Sequence, residues 1–164
     1  MQSLTKELQA RLKGAKRIAV LGVGSEFRAD DAAGMLVAEN IHKKSKNNRL
    51  KVFLGATAPE NLTGEIKRYK PTHLIVVDTA DLKEKPGAVL LLETEDLGEG
   101  VSFSTHKLPA KVMMDYFIQS IKCRIIFIGI QPKNISFGKP ASKEVKASVK
   151  GVSSAIIDAV KDKA

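Results

Sequence analysis

A single cysteine, Cys123, excludes an internal disulfide and any cysteine-cluster metal site. No apolar run approaches the roughly 20 residues of a membrane span. The N-terminus, MQSLTKELQARLKG, alternates Leu4, Leu8 and Leu12 with charges instead of building a signal-peptide core, so the expected location is the cytoplasm, without membrane insertion. Internal repeats, linkers and low-complexity segments are missing, which leaves one domain spanning residues 1–164. No Ser/His/Asp or Cys/His set is legible, which argues against a covalent acyl-enzyme.

What is present is an ordinary globular composition, 43% hydrophobic and 27% charged, long enough to bury a core unaided. The net charge of +9 suggests nucleic acid only if the basic residues form a stripe. They cluster instead where helices are expected to end: His42, Lys43, Lys44 and Lys46, then Lys67, Arg68 and Lys70, then Lys161 and Lys163. The expected edge loops carry Glu26, Asp30, Asp31, Glu60, Asp78 and Asp81, with Glu93, Glu95, Asp96 and Glu99 further along. A basic base and an acidic rim favour a cation over a phosphate, and no nucleic-acid partner is expected.

The chain is organised around residues 16–34, KRIAVLGVGSEFRADDAAG. Ile18 to Leu21 reads as a buried parallel strand, Gly22 and Gly24 as a sharp turn, and Ala33, Val37 and Ile41 as one face of a helix starting near residues 30–32. GVGSEF approaches the dinucleotide fingerprint but has Phe27 at the position that must be small, and Glu26, Asp30 and Asp31 would repel a pyrophosphate. One of the adjacent acids suffices as a helix cap and dipole partner; the other is free for a cation.

Further strands are expected at LKVFL (50–54), HLIVVD (73–78), AVLLL (88–92) and RIIFIG (124–129), with a short one near residues 101–104. Between them lie a short helix capped by Asn61 and ended by Pro71, a helix through VMMDYFIQSIK with Pro109 in its first turn, and a last helix with Val145, Val149, Val152, Ile156 and Val160 on one face. This alternation predicts a single three-layer αβα domain with a mostly parallel sheet of about five strands.

In such sheets ligands bind beyond the carboxyl ends of the strands. The polar chemistry there is Asp30 and Asp31, Asp78 and Asp81, and His106 in STHKLP, an open oxygen and nitrogen set compatible with nickel, zinc, manganese or cadmium. Asp78 and Asp81 also suit turn-capping, and His106 a hydrogen-bonded loop histidine. His42 reads as a dipole partner, His73 as the residue opening a strand, and Met113, Met114, Tyr116 and Phe117 as helix core and boundary. Lys122 and Arg124 are expected to lower the Cys123 thiol pKa, but Cys123 stands at the wrong end of the sheet for a nucleophile.

GVGSEFRADDAAG, TAPEN, VVDTAD, STHKLP and GIQP, in this order, resemble the nickel-iron hydrogenase maturation endopeptidases, most closely the type that processes the hydrogenase-3, formate-hydrogenlyase class of large subunit. The leading helix, residues 1–14, lies outside the resemblance. The resemblance implies an endopeptidase, aspartic-type by family grouping, that removes a C-terminal extension from a large-subunit precursor once nickel is inserted. It also implies Asp31, Asp78 and His106 as both catalytic residues and metal ligands, with nickel supplied by the precursor and zinc or cadmium able to replace it in vitro. A monomer is favoured. Ser25 stands where the family has Asn, and Ala29 and Ala32 where it often has Gly. Ser25 can still form the short side-chain to backbone bond of a turn. The rival reading is a non-enzymatic nickel or precursor escort; a nucleotide-binding module would need tight binding of NAD or ATP.

Overall fold

The computed structural model describes residues 1–96, 102–103 and 110–161. Its strands are β1 (Ile18–Val23), β2 (Leu50–Ala56), β3 (His73–Asp81), β4 (Val89–Leu92), β5 (Ser102–Phe103) and β6 (Arg124–Ile130). The helices are α1 (Gln2–Arg11), α2 (Ala33–Lys44), α3 (Thr63–Tyr69), α4 (Ala110–Ile121) and α5 (Lys143–Val160). The sheet runs β2-β1-β3-β6-β4, parallel except for β4, and β5 adds antiparallel to the end of β3. This is the three-layer αβα domain with five main strands.

Continuous apolar runs form the central strands because both faces are covered. Alternate residues of β1 go to opposite cores: Ile18 and Val20 pack in the layer with α1, α2 and α5, whereas Ala19 and Leu21 pack with α3 and α4. Val145, Val149, Val152, Ile156 and Val160 of α5 are all buried, and Leu8 of α1 is fully enclosed in the same layer. Met113, Met114 and Phe117 fill the other layer, with Tyr116 exposed at its boundary. Among the described residues, no helix is long and apolar enough to cross a membrane.

Two local expectations fail. Asn61 does not cap a helix: a 3-10 turn, Pro59–Leu62, leads into α3, whose N-cap is Leu62 without a side-chain hydrogen bond. Glu93 and Glu95, which follow β4, are not on the functional edge, and Glu99 lies outside the described residues. Because β4 is antiparallel it delivers Glu93 to the opposite edge, where Glu93 pairs with Arg11 and with Arg124, the first residue of β6. A short apolar run marks a strand but not its direction, and in β4 only Leu91 is buried. The chain then returns: β5 pairs Phe103 with Ala80 and Ser102 with Asp81, two and three residues beyond Asp78.

Candidate active site

The site begins where β1 gives way to α2. Gly24 has φ +138°, and a Cβ there would lie 1.9 Å from the carbonyl oxygen of Asp31, so this turn requires glycine. Gly34 lets α2 start against two strands at once, since a Cβ would come within 2.2 Å of the carbonyl oxygens of both Val23 and Val77. The close helix-to-strand approach is thus made by Gly34, while Phe27 points outward and is 69% exposed. A 3-10 turn, Ala29–Ala32, carries the two acids into α2.

The adjacent acids divide their work. Asp30 is fully buried and faces the segment between β6 and α5: its Oδ2 accepts from the backbone N–H groups of Lys133 (2.8 Å) and Asn134 (3.0 Å) and from the Ser142 hydroxyl (3.0 Å). Its Oδ1 accepts from the Ser142 backbone N–H, and its own N–H donates to the Asn134 carbonyl (2.9 Å). Ser142 in turn caps α5 by accepting from the Val145 N–H. Asp30 is therefore a structural clamp, buried and satisfied on both oxygens.

Asp31, equally buried, turns the other way, toward β3. Its Oδ2 accepts from the Ser25 N–H (3.1 Å) and its Oδ1 from the Thr79 hydroxyl (3.1 Å). Thr79 also donates its backbone N–H to Asp78 Oδ1 (2.7 Å), so one residue holds both carboxylates. Asp78 is fully buried, and among the described residues its Oδ2 has no hydrogen-bond partner. Burial first, and the Asp31 charge second, push the Asp78 carboxyl well above the usual range, although the Thr79 hydrogen bonds act in the other direction. A buried, half-satisfied carboxyl beside a second one can take up a proton or a cation, and Asp78 Oδ2 fits a divalent ion on that ground. Asp31 and Asp78 come together as the strand-end reading expects. His106 lies outside the described residues, and among those described no set of three His, Cys, Asp or Glu side chains could hold a metal.

Several amides of the β1 to α2 loop are already engaged within the protein. Gly24 N–H donates to Ala56, Asp31 N–H to Arg28 and Asp30 N–H to Asn134, so these three are not available to a pyrophosphate.

The remaining candidates resolve individually. Asp81 accepts from the Lys83 N–H and pairs with the Lys83 ammonium, so its carboxyl lies below the usual range and its role is in the turn. His73 opens β3 at the opposite edge, with Nδ1 3.1 Å from the Thr72 hydroxyl, and burial lowers its pKa. His42 sits in the last turn of α2. The Cys123 thiol is raised by burial, to about 11; the expected lowering by Lys122 and Arg124 does not occur, Arg124 being paired with Glu93. Ser25 makes the expected turn bond, its Oγ accepting from the Phe27 N–H (3.3 Å). Sequence reasoning missed Thr79, the bridge between the two acids, although VVDTAD contains it. It also missed the pairing of Asp30 with Ser142, 112 residues away, for which no local signal exists.

A three-layer α/β domain with a buried carboxylate pair at the carboxyl edge of its parallel strands is the class that fold and site define. Within that class, the sequence matches the hydrogenase maturation protease family, HycI, over residues 35–159. It is 32% identical over 159 residues to a putative hydrogenase maturation protease of Methanocaldococcus jannaschii, covering 93% of each chain. It is also 34% identical over 133 residues to the hydrogenase 3 maturation protease of Escherichia coli K12, covering 81% of this chain and 84% of that one. The crystal structure of a NiFe hydrogenase maturation protease HycI from Thermococcus kodakarensis superposes with a TM-score of 0.84 at 28% identity, over 95% of this chain and 99% of that one. The solution structure of the E. coli endopeptidase HycI gives a TM-score of 0.74 at 31% identity, over 84% and 87%. The chain belongs to the hydrogenase maturation protease family.

Proposed function

We propose that this protein is the cytoplasmic endopeptidase that trims the C-terminal extension of a nickel-iron hydrogenase large-subunit precursor after nickel insertion. Asp31, Asp78 and His106 engage the nickel carried by that substrate. The observation that carries this reading is the buried Oδ2 of Asp78, lacking a hydrogen-bond partner among the described residues, beside Asp31. Burial strengthens the hold of the Asp78 carboxyl on a proton, and an arriving cation competes for the same oxygen, which favours metal-loaded precursor over precursor in general. For His106 the support is chain arithmetic: β5 ends at Phe103, opposite Ala80, and three residues span at most about 11 Å.

Docking of the nickel brings the scissile peptide over the acid pair. A carboxylate oxygen takes a proton from water, the water oxygen bonds to the scissile carbonyl carbon, the C–N bond breaks, and the proton passes to the leaving amine. The nickel adds electrostatic stabilisation at the carbonyl. Thr79 fixes both carboxylates for this step through its hydroxyl and its N–H. No acyl-enzyme forms.

Incubating the purified protein with precursor carrying nickel, and with nickel-free precursor, tests this by intact mass. Loss of the extension only from the loaded form is expected. Binding without any change in mass identifies an escort instead.

A further inference from the structure

The two most exposed large hydrophobic side chains in the described structure are both phenylalanines, Phe27 at 69% and Phe137 at 78%. They come from segments 110 residues apart, yet they are joined: the Gly138 N–H donates to the Phe27 carbonyl (2.8 Å). The Asp30 clamp on Lys133, Asn134 and Ser142 fastens the same two segments beneath them. Neither ring fills a core, and two exposed aromatics on hydrogen-bonded segments present apolar surface of the kind that marks a contact site. Phe27 lies in the loop whose other end is Asp31; four residues of chain limit their Cα separation to about 14 Å, the span of about four extended substrate residues.

We propose that Phe27 and Phe137 form an apolar clasp that grips the polypeptide substrate beside the acid pair, taking an apolar side chain of the precursor close to its cleavage point. This rests on the endopeptidase reading above. A polypeptide reaching Asp31 and Asp78 passes the loop that carries Asp31; Phe27 belongs to that loop, and Phe137 to the segment hydrogen-bonded to it. Asp30 is then a positioning residue for the clasp as well as a clamp for the fold.

The test uses nickel-loaded precursor with the full-length protein and the variants Phe27→Ala, Phe137→Ala, Phe137→Leu and Leu90→Ala, reading KM and kcat of trimming together with the Kd of the precursor. Both rings are exposed, so the variants fold. Each Phe→Ala change is expected to raise KM and Kd about tenfold with kcat within about twofold. Phe137→Leu should recover most of the loss, and Leu90→Ala, an exposed apolar residue on β4, should change nothing. Unchanged KM and Kd in both alanine variants overturns the clasp while leaving the endopeptidase reading intact. If the wild type binds precursor but does not trim it, the endopeptidase reading fails, and the variants' Kd still decides the clasp.

Discussion

Thr79 donates its hydroxyl to Asp31 and its backbone N–H to Asp78, so the two acids are fixed by a single residue of β3 and neither can turn away from the other. This leaves Asp78 with a buried oxygen lacking a partner among the described residues, and its carboxyl is pushed upward by burial and by Asp31. A carboxyl raised in the folded state favours folding while protonated; that contribution is whole at low pH and is lost as pH climbs through the folded value. Asp78→Asn removes the loss. It should stabilise the protein by about 1–3 kcal/mol at pH 8, with the advantage shrinking toward pH 4. Thermal unfolding of both proteins across that range checks it.

Asp30 and Asp31 are neighbours with separable roles, and alanine should separate them. Asp30→Ala strands three N–H groups and a hydroxyl, costing about 3 kcal/mol, or roughly 6–12 °C in Tm for a chain of this size. Asp31→Ala leaves the Ser25 N–H and the Thr79 hydroxyl without this acceptor, and its defining effect should be loss of trimming by a protein that still unfolds cooperatively. Calorimetry beside a trimming assay reads both.

Ala29 sits at φ +48°, a left-handed conformation that a Cβ disfavours, in the turn just before the acids. Ala29→Gly should relieve about 1 kcal/mol and raise Tm by about 2–4 °C, as read by thermal unfolding. A fall in Tm would show that the side chain's packing outweighs the strain.

Cys123 should be a poor nucleophile. With its thiol near 11, only about 0.1% is thiolate at pH 8, so alkylation by iodoacetamide should be far slower in the native protein than in urea. Quantitative alkylation, once forced, should leave trimming intact.

The sheet and its carboxyl-edge acids were legible because a buried parallel strand writes itself as an uninterrupted apolar run ending in a turn, as in IAVLG and HLIVVD. The pairing of Asp31 with Asp78 followed, since parallel strands deliver their ends to one edge. The direction of β4 was not legible: AVLLL reads the same either way, which is why Glu93 was expected on the wrong side. The role of Asp30 was hidden for another reason, since its partners are backbone N–H groups and a serine over a hundred residues away. Ala29 stands where the family often has Gly, and the backbone there is left-handed with alanine in it, which the departure from Gly did not by itself announce.

The most direct measurement is the trimming rate of nickel-loaded precursor by folded Asp78→Asn, Asp31→Asn and His106→Ala, followed by intact mass. The account predicts that each loses at least about 100-fold in kcat/KM while still folding cooperatively. Undiminished trimming by all three would contradict it.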